Sequence, residues 1–305
     1  MKSSYRGLLA QVSIAHLVSH LHIMTVPALL PLLPDHMQVS FVQLGIAMGV
    51  FGIVTGLVQA PFGFLVDRVG ARKMLMAALL LGSASFGLLA VFPTYPCLLA
   101  VMVLAGVANG IYHPADYSLL SHGVPSDVMG RAFSLHTFAG FFGAALAPVV
   151  MVSVALAASP RWSFAASALA GGLAWCAMLI SSPLPAGQPA TSTGKSSPTE
   201  HRPLTTPVMA LAVLTLLFTL LSLSTGAIEK FSVSALVQGF DVTLPTANVA
   251  LTAFLFASAF GVLAGGVLAD RTDKHGYVAA VAFGLAALMV VLVIKIPLPP
   301  VLLAV

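Results

Sequence analysis

Nine apolar runs dominate this sequence, and each is long enough to cross a lipid bilayer as one helix. They cover residues 8–33, 41–64, 74–92, 97–120, 130–157, 161–181, 207–228, 247–268 and 277–295. Strands of a membrane barrel would be nearer ten residues and alternate polar with apolar, so the runs exclude that architecture. The chain is 59% hydrophobic, against roughly 45–50% in soluble domains, with mean hydropathy +1.02. The expected fold is an all-α, polytopic membrane helical bundle.

Residues 182–206 break the pattern. Pro, Ser, Thr and Gly dominate there without apolar periodicity, which predicts an aqueous linker. It divides the chain into a six-helix half, 1–181, and an incomplete second half, 207–305. With the N-terminus in the cytoplasm, ten of the 13 Lys and Arg residues fall inside: Lys2, Arg6, Arg68, Arg72, Lys73, Arg131, Lys195, Arg202, Arg271 and Lys274. Arg161, Lys230 and Lys295 fall outside. The linker is then cytosolic, and the expected location is a bacterial inner (plasma) membrane. After Lys295, a Pro-rich loop leads into Val301–Val305, which reads as the start of a tenth span. If the second half repeats the first, three helices are missing. That keeps open a non-transporting truncated remnant, or a subunit completed by a partner.

Charge is scarce, at 7% of residues, and it concentrates in Gly63-Phe64-Leu65-Val66-Asp67-Arg68-Val69-Gly70-Ala71-Arg72-Lys73. A weaker copy, Gly265-Gly266-Val267-Leu268-Ala269-Asp270-Arg271-Thr272-Asp273-Lys274, lies between later apolar runs. Each has a Gly, an Asp-Arg pair and a base shortly after. A short charged hairpin repeated at long range predicts two pseudo-repeated membrane halves.

Gly63-x-x-x-Asp67-Arg68-x-Gly70-x-Arg72-Lys73, between the second and third spans, resembles motif A of the major facilitator superfamily. The copy carrying Asp270, Arg271 and Lys274 sits where that superfamily repeats it. Within it, Val39-Ser40-Phe41-Val42-Gln43-Leu44-Gly45, Gln59-Ala60-Pro61-Phe62-Gly63 and Gly110-Ile111-Tyr112-His113-Pro114 resemble the fosmidomycin-resistance-like exporters. The resemblance implies secondary transport of a small organic solute or drug by alternating access, with proton-coupled efflux. Asp67 is then the gating carboxylate, and Arg68, Arg72 and Lys73 pair with acids on neighbouring helix ends, Asp116 and Asp127 being available. Met102 stands where drug–proton antiporters carry an arginine, and Gly143-Ala144-Ala145-Leu146-Ala147-Pro148 keeps only the Pro of the fifth-span antiporter motif.

Ionisable groups within spans are expensive and usually face a cavity or a partner. Asn109, His113 and Asp116 recur at i, i+4 and i+7, so they share a face of the fourth span, which Pro114 is expected to interrupt. A His–Asp pair can carry a proton or hold a polar solute group; alternatively, Asp116 is an inner gate partner of Arg72. His16 and His20 share a face of the first span and His22 lies elsewhere, so His20 is a cavity candidate, as is His136 in the fifth span. Glu229 and Lys230 are expected to end the seventh span. Gly140, Gly143 and Pro148 form a small-residue face suited to close packing between the halves.

The basic residues are scattered singly, which excludes a nucleic-acid surface. No GxxxxGK[ST] follows a strand, so the sequence gives no support to ATP drive. Cys97 and Cys176 lack CxxC spacing and are read as packing residues. The first-span histidines leave a His-rich membrane metalloenzyme as a rival, but no second His or carboxylate set of di-metal density accompanies them. No enzyme activity, cofactor or metal is expected. The expected partners are a small-molecule substrate, protons and lipid.

Overall fold

The computed structural model describes residues 2–125, 128–180, 208–269, 271–272 and 274–295. The linker 182–206, Asp127, Asp270 and the terminal stretch 296–305 lie outside the described residues.

Ten helices and no strands form the described chain: α1 (Lys2–Leu29), α2 (Leu33–Met37), α3 (Phe41–Val69), α4 (Ala71–Val91), α5 (Tyr95–Gly123), α6 (Met129–Ala157), α7 (Pro160–Ile180), α8 (Val208–Gly239), α9 (Leu244–Ala269) and α10 (His275–Lys295). Helices satisfy every interior backbone group within their own segment, which the bilayer core demands. Eight of them, all but α2 and α10, are long and apolar enough to cross a membrane; in α10 the described apolar stretch, Gly276–Leu292, is shorter.

Local chemistry sets the helix ends. The Ser40 hydroxyl accepts from Gln43 N at 3.2 Å, and Gln43 Oε1 accepts from Ser40 N at 2.8 Å. This capping box opens α3 and accounts for the Ser40 and Gln43 of the first exporter-like stretch. Thr94 caps α5 by accepting from Cys97 N at 3.4 Å. Gly70 joins α3 to α4 at φ 101° and ψ 131°, a conformation open essentially to glycine alone. Pro114 does not break its helix. It lies inside a continuous α5, as Pro61 does in α3 and Pro148 in α6.

α1 runs through the centre, packed on α4, α5, α6, α7 and α8. Around its N-terminal part Leu8, Val12, Leu75, Leu79, Ile111 and Leu120 form one core; around its C-terminal part, the upper end here, Met24, Leu29, Phe86, Leu98, Met151 and Phe164 form another. The upper core continues into the second half through Val233, Leu251 and Leu255. α9 joins the first half along α6, where Phe142 meets Phe256 at 5.6 Å between ring centroids and Phe138 meets Phe260 at 5.9 Å.

Candidate functional site

The α3–α4 hairpin carries the charged motif. Asp67 and Arg68 stand exposed in the last turn of α3, and Lys73 is exposed in the first turn of α4. Arg72 is half-buried and donates from its guanidinium to the Met178 carbonyl in the last turn of α7. A helix C-terminus leaves carbonyls unpaired and carries partial negative charge, so Arg72 clamps α4 to α7 there. Asp116 does not accept from it: that carboxylate is buried and faces His136 of α6. Asp67 has no hydrogen bond or ion pair among the described residues. In the second copy, Arg271 and Lys274 are exposed in the turn between α9 and α10.

A cluster of buried ionisable side chains lies where α1, α5 and α6 meet. His16 of α1 stacks on His136 of α6, with ring centroids 3.9 Å apart and planes 15° apart. His16 Nδ1 lies 2.8 Å from the His136 carbonyl oxygen. A carbonyl only accepts, so Nδ1 carries the proton and donates. His136 Nε2 lies 3.7 Å from Asp116 Oδ2 on α5. His20 and His113 stand edge-on to His16, at 4.6 Å and 5.4 Å. Asp116 is 0% exposed, His136 1% and His16 4%. Among the described residues, neither Asp116 oxygen, neither His136 nitrogen and not His16 Nε2 has a hydrogen-bond partner. One ligating atom from each of His16, Asp116 and His136 falls within a group spanning 4.8 Å, a donor set that no single helix reveals.

Glycines let α1 and α6 approach. A Cβ on Gly140 would meet the His16 and His20 rings, and one on Gly143 would run into the Leu17 carbonyl. The small-residue face was expected between the halves. It packs instead against α1 within the first half, and the aromatic face of α6 takes α9.

Asn109 does not join the cluster. Its amide donates to Thr55 Oγ1 of α3 at 3.4 Å, and Thr55 donates to the Gly106 carbonyl at 3.1 Å. His22 is a packed residue whose Nε2 donates to the Ser167 carbonyl at 3.0 Å, beside a Thr25–Ser167 hydroxyl pair at 2.8 Å. It also borders a cavity with Phe51, Phe86, Met102 and Lys230. A neighbouring cavity is lined by Ser19, Asn109 and Tyr112. Glu229 and Lys230 do not end the seventh span: α8 continues to Gly239, leaving both half-buried inside it.

The Major Facilitator Superfamily model matches residues 12–305, nearly the whole chain. The protein belongs to that superfamily. As a major facilitator it is a transporter-family membrane protein rather than an enzyme, which agrees with the motif resemblance. A fosmidomycin resistance protein of Escherichia coli (strain K12) is 26% identical over 288 residues, covering 94% of this chain and 70% of that protein. An uncharacterized MFS-type transporter of Bacillus subtilis (strain 168) is 25% identical over 270 residues, 87% of this chain and 65% of that protein. Among solved structures, a bacterial homologue of the human lysosomal transporter Spinster, inward-facing and occupied, superposes with TM-score 0.71 at 13% identity. That match covers 90% of this chain and 63% of the other. A D-xylose–proton symporter gives TM-score 0.63 at 15% identity, over 88% of this chain and 70% of the other. The chain thus spans about two thirds of the length of these relatives.

Proposed function

We propose that this major facilitator exports a small, drug-like organic solute from a bacterial cytoplasm by alternating access, in exchange for protons. The carrying observation is the α3–α4 hairpin. Arg72 is engaged on the α7 carboxyl end, while Asp67 stands exposed and without a partner among the described residues. A carboxylate in that position can accept N–H groups from a helix N-terminus and hold one gate state. The two halves, 1–181 and 207–305, rock about the centre with 182–206 as a cytosolic linker, and Asp270, Arg271 and Lys274 repeat the gate device. Solute meets the inward faces of α1, α5, α6 and α8, with His20, Asn109 and His113 as polar contacts beside the apolar cavity walls. Likeness to the fosmidomycin resistance protein makes fosmidomycin the first solute to test.

The test is growth of a drug-sensitive bacterial host across a fosmidomycin series, with the chain expressed and its membrane level measured. Expression raises the tolerated concentration, and Asp67→Asn removes the gain at equal membrane level. Equal protection by Asp67→Asn would overturn the gate assignment. No protection from fosmidomycin or from a panel of small organic drugs would overturn the export reading.

A further inference from the structure

We infer that His16, His136 and Asp116 form a buried site for one divalent transition-metal cation of the zinc, cobalt or nickel class, with His113 adjacent. This goes beyond solute transport and does not depend on it, because cation binding is read on the protein itself.

The first ground is unsatisfied chemistry. Asp116 is fully buried among apolar helices, and neither carboxylate oxygen accepts a hydrogen bond from any described residue. Its nearest cationic candidate, His136 Nε2 at 3.7 Å, lies beyond hydrogen-bond length. A buried polar group without a partner costs several kcal/mol unless something compensates it. A bound cation between the carboxylate and the imidazoles does so.

The second ground is the tautomer of His16. Its Nδ1 proton is committed to the His136 carbonyl at 2.8 Å, which leaves Nε2 unprotonated, buried and without a partner among the described residues. Ligating histidines characteristically have this arrangement: the remote N–H is anchored to a carbonyl or carboxylate, and that fixes the ring for the metal. The same bond ties two of the three ligand-bearing helices, α1 and α6, directly together.

The third ground is spacing. Ligands about 2.0–2.1 Å from a tetrahedral cation stand roughly 3.3–3.4 Å apart. The 3.7 Å His136–Asp116 edge is close to that, and the full set lies within 4.8 Å. Side-chain movements of about an ångström close the shell. His113, whose Nδ1 is also buried without a partner, stands 5.4 Å ring to ring from His16 and is placed to approach the remaining position. Two or three imidazoles and one carboxylate suit zinc, cobalt or nickel; magnesium and calcium favour all-oxygen shells.

The test uses tag-free protein in lipid nanodiscs, stripped with a chelator and titrated with Co²⁺. The expected result is one Co²⁺ per chain with visible ligand-field absorption, displaced by Zn²⁺. Asp116→Asn and His136→Gln each weaken binding at least tenfold, while His122→Gln, altering an exposed histidine at the end of α5, leaves it unchanged. Absence of stoichiometric Co²⁺ in the wild-type protein would overturn the site, whatever the variants do. So would equal binding by wild type, Asp116→Asn and His136→Gln.

Discussion

Gly140 of α6, one turn beyond His136, stands directly against the His16 ring: a Cβ there would lie 2.6 Å from Cε1 and 2.8 Å from Nδ1. The same Cβ would lie 3.0 Å from His20 Nε2. Gly140→Ala therefore pushes the His16 ring away from the His136 carbonyl. Overpacking of this kind costs about 1–3 kcal/mol, so the variant melts at lower temperature in detergent. Its transport falls as well. A variant with unchanged melting and transport would show that α1 and α6 do not hold the cluster as described.

Asp116→Asn keeps the side-chain shape and removes the charge. Because neither carboxylate oxygen has a hydrogen-bond donor, no bond is lost, and chelator-treated protein melts at the same temperature or higher. Transport falls at least tenfold, since the change removes the buried carboxylate that faces His136. A clear drop in melting temperature would contradict the unpartnered state of Asp116.

Gly70→Ala tests the hairpin backbone. At φ 101° and ψ 131° an alanine is strained by about 1–3 kcal/mol, although nothing surrounds the position to clash with a Cβ. The expected result is a melting loss of that size with reduced transport. Gly63→Ala, at a helical position with equally open surroundings, leaves stability within about 0.5 kcal/mol of wild type. Equal losses in the two would place the effect elsewhere than in the backbone.

The α6–α9 contact predicts energetic coupling between halves. A double-mutant cycle of Phe142→Ala and Phe256→Ala should give an interaction of about 0.5–1.5 kcal/mol, typical of an aromatic pair. Strict additivity would argue that these rings do not meet in the membrane.

Much of the architecture was legible because bilayer thickness forces apolar runs into single helices, and the helices from α3 to α7 begin and end close to those runs. Gly70 was legible too, as a hairpin glycine beside an Asp-Arg pair. What the sequence hid was rotation. These helices are apolar on nearly every side, so periodicity says which residues share a face and not which neighbour that face meets. His16 and His136 are 120 residues apart, and no local spacing joins them. The HxxxH spacing of His16 and His20 is the available signal, and spacing alone does not say that His16 is the member at the centre of the cluster. For the same reason the sequence does not reveal that Gly140 and Gly143 face α1 rather than the second half. Glu229 and Lys230 looked like a helix end because charge usually marks one. The described α8 continues past them.

The most direct measurement is proton movement in liposomes holding the purified chain and a trapped pH dye, on addition of a solute that passes the growth assay. The account predicts a solute-dependent pH change with the wild type and its loss with Asp67→Asn at equal reconstitution. A wild-type signal no greater than that of empty liposomes, or an undiminished signal with Asp67→Asn, would contradict it.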